Sequence, residues 1–170
     1  SAALFSEKQN LKVESRVGPI PAAADFSEVP LEGRLNIDPI DIGKLESAIP
    51  KIKAALPKEL DLSGIFKIKD MRLTGSLKKL TVKGTLEGND GSVKFGNTFQ
   101  KASGVPLEVF TDAQYGNNTV LFRQAKVKLH TLDFSGKGEV KLGEVPSLNF
   151  SLDSNRFSLN GWEKILPLIQ

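Results

Sequence analysis

The side chains most able to do chemistry in this sequence are one histidine and a scatter of carboxylates. His130 is the sole histidine, it stands among lysines and a threonine, and the chain has no cysteine. Common metal sites need several such ligands, so the sequence predicts no metal site. A lone histidine at a strand end is typical of a protein surface, since catalysis would require positioned partners.

The other polar signals indicate turns. The aspartates lie mostly at predicted turns and strand ends, where a carboxylate accepts backbone hydrogen bonds, and no spacing selects a pair for acid–base catalysis. Gly136-Lys137-Gly138 lacks the third glycine and the following helix of a dinucleotide-binding loop. We therefore expect no catalytic residue and no cofactor, and we interpret the protein as not being an enzyme.

Composition indicates a folded domain. The 170 residues are 39% hydrophobic and 25% charged, with a net charge of +3. The cationic excess falls between residues 67 and 101, and it fits either a solvated strand face or an anionic partner. Few aromatic residues interleave with these lysines, so nucleic acid is not expected. Because the chain opens on Ser1 without a Met, we expect it to be part of a longer protein.

Hydrophobic periodicity predicts mostly strands. Residues 11–17, 31–37 and nearly all of the chain from residue 63 alternate, with turns at 88–91 and 116–118. A change of phase predicts a β-bulge near Asp70. Helical stripes predict one short helix interrupted by Pro50 and a second at about 159–169. The predicted fold is mainly β: a curved antiparallel meander of about nine strands, as an open groove or half-barrel, with two short helices.

An internal repeat is the most specific signal. Shifting the chain by 117 residues superposes two strand-and-helix segments without a gap, and Glu and Pro match as well as apolar positions: Leu31 on Leu148, Leu35 on Leu152, Leu45 on Trp162, Glu46 on Glu163, Pro50 on Pro167. Repeats of this kind stack because one unit cannot bury its own apolar face. We predict that residues 1–57 end one unit and that residues 58–170 form the next.

The alternation also predicts one apolar and one polar face for the sheet. Two short helices cannot cover so wide a sheet, so it either packs on itself as an ordinary core or stays open and houses something apolar. If it stays open, the candidate lining residues are Leu80, Val82, Leu86, Phe134, Val140, Leu142, Leu148, Phe150 and Leu152.

Three motifs resemble the AsmA family of bacterial envelope proteins. They are Gly-Pro-Ile at 18–20, Pro-Leu-Glu-Gly at 30–33 and a short Leu-containing helix after Ile40-Asp41-Ile42, in that order. The strand pattern from Leu62 to Gly75, and that of the segments after it, is similar to the repeating strands of the family. The resemblance covers most of the chain from residue 10 onward.

The resemblance implies a periplasmic module of a protein anchored in the bacterial inner membrane. Its strands are expected to form a β-groove built from neighbouring repeats of the parent chain, which shields phospholipid acyl chains between the membranes and serves outer-membrane homeostasis. Each buried methylene contributes about 0.8 kcal/mol to such binding. The alternative is a structural or protein-docking module in envelope or outer-membrane protein assembly, which binds no lipid and uses strand addition.

Overall fold

A computed structural model describes residues 10–20, 25–50, 53, 56–143, 147–155 and 165. Alternating sequence makes this part of the chain almost entirely extended. Its complete helix is α1 (Ile42–Ala48), a single 3-10 turn lies at Phe26–Glu28, and Pro50 and Lys53 are also helical. The strands are β1 (Leu11–Val17), β2 (Leu31–Asp41), β3 (Leu60–Gly75), β4 (Lys79–Glu87), β5 (Gly91–Phe95), β6 (Phe99–Lys101), β7 (Leu107–Gly116), β8 (Thr119–Leu129), β9 (Leu132–Lys141) and β10 (Ser147–Ser154).

Eight strands form one antiparallel path in the order β1-β2-β3-β4-β7-β8-β9-β10. The β5–β6 hairpin leaves this path and pairs with the first part of β3, from Leu60 to Gly64. Among the described residues, β1 and β10 each pair on one side only, so the sheet does not close on itself. The predicted mainly β, open antiparallel meander is confirmed. It has ten strands where about nine were predicted, and the helix predicted at 159–169 lies outside the described residues, apart from Ile165.

The predicted bulge in β3 is confirmed. The register with β4 jumps between Lys69 and Arg72, and Asp70 has a φ of 49°. The Asp70 amide donates to the Asn36 side-chain oxygen at 2.7 Å, which fixes the bulge against β2. The bulge inserts an extra residue and shifts the alternation by one position. The apolar side chains that follow Asp70 therefore lie on the same face of the sheet as Ile68.

The helix α1 follows β2 directly. The Asp41 carboxylate caps it by accepting from the Lys44 amide at 3.1 Å, as an N-terminal aspartate does. It ends at Ala48, two residues before Pro50, which fits the predicted interruption. The helix packs against β3 and β2. Ile52, which the sequence places on the same apolar side of the predicted helix as Leu45, lies outside the described residues.

One end of the sheet carries the packed core, which we call the packed end. Phe66 is buried there under the turn between β4 and β5, where Gly88 and Gly91 leave no room for a side chain above its ring. Ile165 is fully buried against Leu129 at the same end. Most of the core thus lies at the end where α1, the turn and the β5–β6 hairpin meet the sheet, and Val29 before β2 and Ala113 of β7 are buried elsewhere.

Lys101 is the unexpected member of this packed end. Its side chain is fully buried, although the sequence placed it in a run of surface cations. The ammonium group donates to the carbonyls of Gly88 and Gly91, each at 2.5 Å. These two hydrogen bonds join Lys101 to the turn and compensate the cost of burying its charge.

The two copies of the repeated segment pair with their neighbours in different registers. Leu31 of β2 lies opposite Val17 of β1, whereas Leu148, its equivalent after the 117-residue shift, lies opposite Val140 of β9 and not opposite Phe134, the equivalent of Val17. The strand pairing therefore does not repeat with the sequence. The repeat itself and the division at residues 57 and 58 stay predictions.

Candidate functional site

The candidate site is one face of the eight-stranded path, here called the apolar face. Residues directly opposite in an antiparallel ladder point to the same side of the sheet. Leu86 lies opposite Val109, Val109 opposite Val127, and Val127 opposite Phe134. This row therefore places four apolar side chains from four neighbouring strands on one side.

Eight of the nine predicted lining residues lie on strands and share this face. By register they form two groups, one on β4 and one on β9 and β10: Leu80, Val82 and Leu86; Phe134, Val140, Leu148, Phe150 and Leu152. Leu142 lies just beyond the end of β9 and is 47% exposed. Its amide donates to the Asn118 carbonyl at 2.6 Å, so it belongs to the loop at the rim.

The face is wider than the predicted set. Strands β1, β2, β3, β7 and β8 contribute residues of the same kind in the same rows, among them Val13, Leu35, Ile68, Leu73, Val109, Phe122 and Val127. The signal that could have found them is the same alternation, extended through the register. Polar exceptions on this face are few, such as Ser15, Thr111 and Ser154.

This face lacks a covering layer in the part of the chain that the structure describes. Its buried apolar residues are Ile37, Ile40, Phe66, Ala113 and Leu129, and the other described apolar side chains on it are partly or largely exposed. Apart from α1, which packs on β2 and β3, the main contacts between elements of the described chain are those between strands that are neighbours in the sheet. In the described part of the chain the face is therefore an open apolar surface, bounded at one end by the packed end.

An aromatic pair lies near the β10 edge of the face. Phe122 of β8 and Phe150 of β10 both lie opposite Gly138 of β9, and their ring centroids are 5.3 Å apart. A Cβ at Gly138 would lie 2.6 Å from Cγ of Phe150, so only glycine lets the two rings meet across the middle strand.

The opposite face, here called the polar face, carries the charges. Lys69 pairs with Glu87 at 2.6 Å, and Lys83 pairs with Asp112 at 3.3 Å. The Lys83 ammonium also lies 5.8 Å from the centre of the Phe110 ring. Both lysines are about half exposed, so these pairs add little stability. These charged side chains keep the polar face hydrated, whereas the opposite face is apolar.

The residues considered for catalysis do not converge. His130 is exposed in the β8–β9 turn with a φ of 53°, and its amide donates to the Pro106 carbonyl at 3.0 Å. Within the described ranges, His, Asp and Glu form no group of three that could hold a metal ion. No helix in the same ranges has the length and hydropathy to cross a membrane.

Comparison with protein-family models, with curated proteins and with solved structures found no match to this chain.

Proposed function

We propose that the chain is a periplasmic module of an AsmA-like protein, anchored in the bacterial inner membrane by its parent chain. The apolar face serves as a groove that shields phospholipid acyl chains as they pass between the membranes. The observation that carries this proposal is the continuous apolar face, which runs over eight strands and has no covering layer among the described residues. The motif resemblance supplies the family and the compartment.

The dimensions of the face suit an acyl chain. Strands lie about 4.8 Å apart, so eight strands span about 34 Å across the sheet. An acyl chain occupies one leaflet, or about half of a ~30 Å hydrocarbon core. The face is therefore wide enough for the whole chain. Each methylene that leaves water contributes about 0.8 kcal/mol, without any reaction or cofactor.

Site-specific photocrosslinking tests the proposal. A benzophenone amino acid at Phe134 or Phe150 of the parent protein lies on the apolar face, and the matched controls at Ser135 and Asn149 lie on the polar face one residue away. In bacterial membranes we expect phospholipid adducts from the two apolar positions and not from the controls. Equal lipid adducts from both faces, or none from folded protein, would refute the lipid groove.

Among the described residues β10 pairs on one side only, and this edge favours a second candidate function. Leu148 is 72% exposed and Leu152 is 51% exposed on this edge strand, which carries Asp153 as its single charged residue. An edge with so little charge accepts another strand readily. The module could therefore dock neighbouring repeats of the parent chain, or a protein of envelope assembly, by strand addition and without lipid.

Mass spectrometry of the purified parent protein separates the two candidates. A docking module should carry a stoichiometric protein partner and no lipid, and Leu148→Lys at the edge should weaken that complex. A lipid groove should carry phospholipid whether or not a protein partner is present.

A further inference from the structure

The polar face contains a row of three cations on adjacent strands. Arg34 of β2 lies directly opposite Arg72 of β3, and Arg72 lies directly opposite Lys83 of β4. Like charges placed directly opposite in a sheet destabilise the pairing. Arg72 is in the least favourable position, because it has a cation on both sides.

The carboxylates at the two ends of this row are already engaged. Glu14 lies beyond Arg34 on β1, and its carboxylate pairs with Lys12 at 2.9 Å. That hydrogen bond and charge, with a smaller contribution from Arg34, lower the pKa of Glu14. At the other end Asp112 pairs with Lys83 at 3.3 Å.

The N–H donors of the Arg34 and Arg72 guanidinium groups are not used by other described residues. In the described part of the chain, neither the Arg34 nor the Arg72 side chain forms a hydrogen bond or an ion pair. Glu32 and Asp70 also border the region, and no ion pair joins either of them to these arginines. In the described residues no ion pair with a carboxylate therefore offsets the repulsion between Arg34 and Arg72, although Arg34 weakly attracts the Glu14 carboxylate opposite it.

The backbone around Arg72 has a defined shape. The Asp70 amide donates to the Asn36 side-chain oxygen at 2.7 Å and so holds the bulge in place. The bulge in turn fixes the position at which the Arg72 side chain projects from β3. A bulge redirects the side chains beside it and is often found next to functional sites. An open cavity of about 400 Å³ lies along this surface, and Arg16, Arg34 and Arg72 all line it.

We propose that this cavity binds a phosphate group between Arg34 and Arg72, with Arg16 as a further donor. A guanidinium group offers two parallel N–H donors to phosphate oxygens, and an anion between two such groups turns their repulsion into attraction. The ligand is a phosphate ester of a lipid headgroup or free inorganic phosphate, which present the same oxygens. The site lies on the face opposite the apolar face and does not depend on the proposed lipid groove.

Thermal unfolding in sodium phosphate and in sodium chloride, at equal ionic strength, tests the site. The variants are Arg34→Gln and Arg72→Gln, and the matched control is Lys137→Gln, which removes one exposed cation from the polar face at β9. We expect phosphate to raise the melting temperature of the wild type and the control equally. The arginine variants should lose that rise, and their phosphate affinity by calorimetry should fall at least about tenfold.

A second readout separates loss of binding from damage to the fold. In chloride, Arg72→Gln should melt at the same temperature as the wild type or higher, because it removes a cation from between two others. An equal phosphate effect in all four proteins would overturn the proposal, and so would an Arg72→Gln variant that is less stable in chloride than Lys137→Gln.

Vesicles distinguish the two sources of phosphate. If the ligand is a lipid headgroup, the protein should co-sediment with phosphatidylglycerol vesicles, Arg72→Gln should abolish this, and inorganic phosphate should compete. If it is free phosphate, calorimetry should show phosphate binding while co-sedimentation is the same for wild type and Arg72→Gln. Failure of both assays refutes the site and leaves the lipid crosslinking from Phe134 unaffected.

Discussion

Replacing Lys101 with methionine should remove much of the stability of the packed end. The fully buried ammonium group donates to the carbonyls of Gly88 and Gly91 at 2.5 Å, and to those of Asn89 and Ala102 at 3.2 Å. Methionine fills the same space but leaves these carbonyls without their donor. The pKa of Lys101 is lowered because burial disfavours its charge, and the negative charge of Asp90 opposes this shift only in part.

The size of the effect follows from the two short bonds. A hydrogen bond to a charged group contributes about 1.5–3 kcal/mol. Counting only the bonds to Gly88 and Gly91, at about 1.5 kcal/mol each, gives a loss of about 3 kcal/mol. For a chain of this length that corresponds to a melting temperature about 6–12 °C lower. It is also a large part of the 5–15 kcal/mol by which such domains are stable.

Chemical denaturation of Lys101→Met measures this loss, and Lys94→Met is the matched control. Lys94 lies on β5 of the same hairpin, and its side chain is exposed. The control should change the free energy of unfolding by less than about 0.5 kcal/mol. Hydrogen exchange should show faster opening of the turn at Gly88–Gly91 in Lys101→Met alone. If both variants unfold with the same free energy, the carbonyls do not depend on the ammonium group and the reasoning is wrong.

Two further changes test other parts of the sheet. Gly138→Val should displace the Phe150 ring and destabilise the β9–β10 pair by about 1–3 kcal/mol in denaturation experiments, whereas Gly143→Ala, where a Cβ meets nothing within 4 Å, should be nearly neutral. In an NMR titration the pKa of Asp25 should lie well below its ordinary value of 3.8, first because of the Lys78 hydrogen bond and then because of Ser27. The stability that the ionised carboxylate adds is therefore lost as the pH falls below about 4. Lys78→Met should return the pKa of Asp25 toward 3.8, and an unchanged titration in this variant would contradict the pairing.

Alternation in the sequence was enough to predict most of the sheet, because each strand has one apolar and one polar side. The strand predicted at residues 11–17 has those bounds in the structure, and the phase change at Asp70 located the bulge. The same alternation placed Leu80, Phe134 and Phe150 on one face. These features depend only on neighbours along the chain, which is why a single sequence reveals them.

Features that depend on tertiary contacts could not be predicted. Strand β6 has three residues, too few for a periodicity, and its pairing with β5 is what makes it a strand. Lys101 looked like a surface cation because lysine is rarely buried, and the carbonyls that receive it come from a turn ten or more residues away. The opposition of Arg34 and Arg72 needs the β2–β3 register, which no local pattern supplies.

The apolar face and the β10 edge place different demands on whatever covers them. An acyl chain contacts side chains inside the edges of the face, such as Phe134 of β9, and makes no use of the backbone groups on the outer side of β10. An added strand needs those backbone groups and the side chain of Leu148, and it leaves Phe134 uncovered. Phe134 and Leu148 do not pair with each other in the register of β9 and β10, so they can be tested separately. In one outcome a polar substitution at Phe134 removes lipid and keeps a protein partner, while one at Leu148 removes the partner and keeps lipid. This pair of results would mean that the sheet serves both purposes on separate surfaces.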